Sequence, residues 1–166
     1  MQFEQVFSSA IEVGVATAGF SGIVVVLGQR AQGEWSPADL GRVSVLLQSS
    51  LAAILLSFLA LVLHGAGVAD SSIWRIGSGT HVVYTAVQLP LRLRQMRGLH
   101  EVDTSYSASL TKLVIPVLIC VFALQIYNTA TLAAGWAFAV AVIAELVVAF
   151  LMFVRLLEAI WRHPAA

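Results

Sequence analysis

Residues 6–27 read VFSSAIEVGVATAGFSGIVVVL, and this stretch decides the fold. At a rise of about 1.5 Å per residue, a helix of this length crosses a hydrocarbon core of ~30 Å. The run is apolar throughout, yet it holds many small residues and one carboxyl group, Glu12. Ala10, Gly14, Ala18 and Gly22 recur at every fourth position, which sets them on one helix face. A face of small residues lets another helix come close in lipid, so these four are assigned to helix packing. Glu12 and Gly19 lie roughly opposite, beside Ala16. A carboxyl group is costly against lipid, so this second face is also expected to meet protein or water.

Four more apolar blocks follow. The spans are placed at about residues 6–28, 43–64, 73–91, 112–132 and 136–158 of a single transmembrane helical domain, 1–166. The chain is 59% hydrophobic and 11% charged, against about 25% charged in soluble domains. Separate apolar blocks favour several spans over one soluble core. The expected fold class is therefore an all-α integral membrane protein, a bundle of five transmembrane helices. No Lys or Arg precedes the first block, which is also too long for the apolar region of a secretory signal, so it is taken as a mature helix. Net charge is zero, so no field draws nucleic acid, and none is expected as a partner. A lone cysteine, Cys120, rules out an intrachain disulfide or a multi-cysteine cluster, and is expected to be a small buried hydrophobe.

The second helix has a legible start: Ser36 as N-cap, Pro37 at the first helical position and Asp39 in the first turn. The third block is only moderately apolar. Gly77, His81, Tyr84, Gln88 and Arg92 form one polar stripe on it, and Pro90 is expected to bend it near its end. The alternative architecture is four spans plus this block as an amphipathic surface helix. Basic residues favour five spans. Arg30, Arg42, Arg92, Arg94, Arg97, Lys112, Arg155 and Arg162 then share one side, eight of nine, with Arg75 opposite. The positive-inside rule places the N-terminus outside and the C-terminus in the cytoplasm. Trp74 and Trp136 at outer ends, and Trp35 and Trp161 at inner ends, are expected to be interface anchors.

Four residues are assigned to ion or proton binding: Glu145, Glu12, His81 and Gln125. Glu145 lies ten residues into the last block, at ~15 Å depth, near the midplane. Ala137, Ala141 and Ala149 share its face, so it is expected to point at a packed neighbour. An intramembrane acid is a functional candidate by default. Glu12 and His81 enter from the outer side at similar depth, and an imidazole there can relay a proton. Gln125 heads a polar cluster with Asn128 and Thr129. Arg92, Arg94 and Arg97 are expected to contact lipid headgroups. The one cofactor reading is haem between His64 and His81, resting on shared depth alone, and no cofactor is expected. No phosphate-binding, HExxH or GxSxG motif occurs, so an enzyme is not the favoured reading.

The run AIEVGVATAGF, residues 10–20, resembles the start of small multidrug-resistance transporters, which carry an essential Glu in helix one followed by Gly and Thr. The likeness ends there. This chain is longer, has a fifth block and lacks that family's aromatic third-helix pattern. It implies no more than a membrane carboxylate that works, at Glu12. The overall pattern is similar to small bacterial inner-membrane proteins, which implies that location. The expected function is a homo-oligomeric channel or carrier for protons or small cations, using buried carboxylates. The alternative is a structural or accessory subunit of a larger membrane complex. Membrane lipids, and self-association or another membrane protein, are the expected partners.

Overall fold

Long runs of Leu, Val, Ala and Ile build the helices, and short polar segments separate them. The computed structural model describes residues 3–32, 36–100 and 108–162, with side chains over 3–26, 36–37, 39–91 and 115–158. Every regular element among the described residues is helical. In order they are α1 (Phe3–Gln32), α2 (Pro37–Gly65), α3 (Asp70–His100), α4 (Ala108–Tyr127), a π-helical turn (Asn128–Leu132) and α5 (Gly135–Arg162). Four of the helices contain stretches long and apolar enough to cross a membrane: Phe3–Val26, Asp39–Gly65, Ile115–Leu132 and Gly135–Glu158. The chain is an integral membrane protein with an all-α bundle.

The start of α2 follows the sequence reading. Ser36 Oγ accepts a hydrogen bond from the Asp39 amide at 3.2 Å and donates to Asp39 Oδ2 at 2.6 Å, with Pro37 in the first turn. Arg42 pairs with the other oxygen of Asp39.

The helices alternate in direction. The Phe3 and Trp74 rings lie 5.1 Å apart, and a β-carbon on Gly135 would sit 2.9 Å from the Phe3 ring. So α1, α3 and α5 begin at one end of the bundle, called here the N-terminal end. There α2 also finishes, with His64 between Glu4 and Asp70. Phe7, Ile73, Trp74, Phe138 and Val142 form the main apolar core near this end. Toward the opposite end a second core joins α1, α2 and α5 through Val24, Leu46 and Leu156.

α3 is not among the four apolar candidate spans, but it packs against the other helices. The Tyr84 hydroxyl donates to the Gln48 carbonyl at 3.3 Å, while Asp70 meets His64 at the N-terminal end. Those contacts are 14 residues apart on α3 and 16 apart on α2, or ~21 and ~24 Å of helix. The two helices therefore run antiparallel over most of a bilayer's thickness. Pro90 does not end α3 either, since the helix runs on to His100, past the expected end near residue 91. A proline removes one backbone hydrogen bond, and the strong helix formers after it carry the helix onward.

Four other expectations change. The small-residue ridge of α1 divides: Ala10 and Gly14 are buried, Ala18 is half-buried, and Gly22 is exposed with nothing within 4 Å of an added β-carbon. Gly14 is where α1 and α2 touch, because a β-carbon there would lie 2.7 Å from Ile54 and 3.3 Å from the Ser50 carbonyl. Glu12 is exposed on the outer face of α1. Cys120 is exposed on α4, because the face of α4 that packs is the one holding Val121 and Gln125. Trp74 is buried beneath Phe3 and Phe7 rather than anchored at the interface, whereas Trp136 is exposed. The side chains of Trp35, Trp161, Arg92, Arg94, Arg97 and Lys112 lie outside the described residues.

Candidate functional site

The stripe along α3 turns inward and meets two neighbours in succession. One turn nearer the N-terminal end it meets α4 and the π-helical turn at Ser78; farther in it meets α5 at His81.

The layer at Ser78 is closed. Ser78 Oγ donates to Gln125 Oε1 at 2.8 Å and accepts from Asn128 Nδ2 at 2.8 Å. Gln125 Nε2 donates to the Ala137 carbonyl at 2.8 Å. Asn128 Nδ2 also donates to the Ala134 carbonyl at 3.2 Å, and Asn128 Oδ1 accepts from the Ala134 amide at 2.8 Å. The three side chains are fully buried. The same Asn128 closes the hairpin: its carbonyl accepts from Ala133, a residue held in the left-handed region at φ 49°. Buried polar groups paired in this way hold elements together.

The layer at His81 is open. His81 Nε2 lies 3.5 Å from Glu145 Oε1, and the side chains are 4% and 8% exposed. That distance exceeds the 2.7–3.2 Å of an N–H···O hydrogen bond, so the two groups face each other without being bonded. Thr85 Oγ1 stands 3.5 Å from the same Nε2. The far atoms of the pair, His81 Nδ1 and Glu145 Oε2, are buried and have no hydrogen-bond partner among the described residues. Two buried serines of α2, Ser50 and Ser57, also have unpartnered hydroxyls. Ser50 lies level with Gly14 of α1, which is 11 residues below Phe3; Glu145 is ten below Gly135. Since Phe3 and Gly135 are in contact, Ser50 and Glu145 share a depth.

Magnitudes show why this pair differs from a structural one. At 3.5 Å and an effective dielectric constant of about 20, opposite charges attract by about 5 kcal/mol. Burying each ion costs on the order of several kcal/mol, so attraction and desolvation here are of similar size.

Of the four residues assigned to ion or proton binding, the structure brings two together, His81 and Glu145. Gln125 belongs to the closed layer, with both ends of its amide engaged. Glu12 faces outward on α1, away from the pair. His64 and His81 do not form a haem site. His64 meets Asp70, and His81 lies 11 residues farther along α3, ~16 Å away, too far for two ligands of one iron. Ser78 was missed by sequence reasoning, although it stands three residues before His81 on the same stripe. Ser50 and Ser57 gave no signal, because small hydroxyls are common in membrane helices whether or not they find partners. No protein-family model, no curated protein and no solved structure matches the chain.

Proposed function

We propose that the protein moves protons, with the His81–Glu145 pair as the site that binds and releases them. The observation that carries this reading is the pair itself, buried within the bundle with one unpartnered atom on each member. The pair joins two proton-accepting groups with one carboxylate, which favours a proton over a metal cation that asks for several oxygen ligands. By the positive-inside rule the N-terminal end of the bundle faces outward and the C-terminus lies in the cytoplasm. The test is proton flux into vesicles holding the purified protein under an imposed gradient. Glu145→Gln is expected to abolish protein-dependent flux while the bundle stays assembled. Unchanged flux with Glu145→Gln would refute the assignment.

A second reading is favoured by Glu12. It is exposed on α1 next to Gly19, where an added β-carbon would meet nothing within 4 Å. A carboxyl on a lipid-facing surface is costly, and an open glycine beside it admits another helix. Under this reading the chain is covered there by a second copy or by a different membrane protein, as in a homo-oligomer or an accessory subunit. The mass of the detergent-solubilised particle separates the two: several copies of this chain, or a fixed second protein.

A further inference from the structure

We infer that the His81–Glu145 pair exchanges protons with one side of the membrane only, the side away from Phe3 and Trp74, along polar side chains of α3 and α2. The inference rests on the proton-binding reading above and adds its route.

Toward the N-terminal end the way is shut twice. The first barrier is the closed layer, where Ser78, Gln125 and Asn128 spend their side-chain donors and acceptors on one another and on the backbone of α5 and its preceding turn. A relay needs groups free to change partners, and each of these three side chains is already tied to another of them or to the backbone. The second barrier is carbon. Phe7, Trp74 and Phe138 pack with ring centroids 5.5–6.2 Å apart. Gly77 lets Phe138 lie directly on α3, where a β-carbon would be 2.7 Å from the ring. Rings packed this closely leave no room for a water file, and apolar walls would not hold one.

Toward the opposite end the polar groups continue and exposure rises. Thr85 stands beside His81 Nε2, and Gln88 follows one turn on. Tyr84 reaches the Gln48 carbonyl, and Gln48 Nε2 donates to Ser44 Oγ at 3.2 Å. All five are half-buried, whereas Ser78, Gln125 and Asn128 are fully buried. The apolar core at that end is assembled from α1, α2 and α5, without α3. Among the described residues, no core seals the polar stripe of α3 there. One-sided access of this kind is the state of a carrier facing one compartment, and it is incompatible with a continuous pore.

The test reads access rather than flux. In a Cys120→Ser background, Thr85→Cys, Gln88→Cys and Ala139→Cys are placed in vesicles of single orientation. A membrane-impermeant thiol reagent is then added to one side at a time. Only variants that match the parent in elution and thermal unfolding are scored. Thr85→Cys and Gln88→Cys are expected to label from the side away from Phe3 and not from the other, and Ala139→Cys from neither. A second readout uses the unsubstituted chain. A cationic, impermeant carbodiimide, located by mass spectrometry, is expected to modify Glu145 only from that same side. Labelling of Ala139→Cys from the Phe3 side, or modification of Glu145 from both sides or from neither, would overturn the route. Because neither readout needs flux, a wrong route with Glu145-dependent flux intact is distinguishable from a wrong function.

Discussion

Two polar layers lie about one helical turn apart in the same bundle, and they are built by opposite rules. Ser78, Gln125 and Asn128 bond to one another and to the backbone, so that each side chain has partners. His81 and Glu145, three residues farther along α3 and eight farther along α5 than the contacts at Ser78 and Ala137, face each other at 3.5 Å and leave an atom each unpaired. Both layers are equally dry, so burial alone does not mark a working site. The contrast is an unmet hydrogen-bonding demand beside a paired one: the paired layer holds the helices in place, and the proposed function falls to the other.

The comparison makes predictions of descending size. Asn128→Ala strips partners from Ser78 and from the Ala134 amide and carbonyl at once. It is expected to destabilise the bundle by about 3 kcal/mol, read by denaturant-linked loss of helicity, since each buried group left unpaired costs ~1–3 kcal/mol. A loss under about 1 kcal/mol would mean that this layer is not a brace. Gly77→Ala drives a β-carbon into Phe138 and is expected to cost about 2 kcal/mol, the usual penalty for overpacking. Replacing both members, His81→Leu with Glu145→Leu, sharpens the contrast, because it should leave stability unchanged or raise it by ~1 kcal/mol while eliminating flux. A large fall in stability would show that the pair is a brace after all. Smallest is Gly22→Ala, at an exposed helical position with open space around it. A gain of ~0.5–1 kcal/mol from helix propensity is expected in the isolated chain. A loss of self-association in the same variant would place a second helix on that face.

Much of this architecture was legible before any coordinates. The apolar blocks, the Ser36–Pro37–Asp39 start and the Ala-lined face of Glu145 depend on local periodicity and capping, and they appear as read. His81 was legible from its place on the α3 stripe. Its partner was not, because a pairing between residues 64 apart depends on how α3 rotates against α5. The same limit explains Gln125, whose polar cluster was visible while its bonds to Ser78 and Ala137 were not. Glu12 shows a different limit: its helix was read as packed on both sides, and within one chain α1 packs chiefly on α2 and α5, so periodicity marks a face without saying which molecule covers it.

The π-turn between α4 and α5 also bears on how the chain is made. Gln125 bonds to Ala137, and Asn128 bonds to Ala134 through both its amide nitrogen and its oxygen, so these contacts close within a single pair of consecutive helices. That pair can enter the bilayer as one insertion unit with the polar groups at its tip already neutralised. Glu145 has no such provision inside the hairpin, since its facing group belongs to α3, which is synthesised earlier. Docking of the last two helices onto the first three is therefore the step at which Glu145 gains its only ionisable neighbour among the described residues. A ribosome-stalled chain ending before α5 would leave His81 without its facing carboxyl, and the buried pair would come into existence with the final helix.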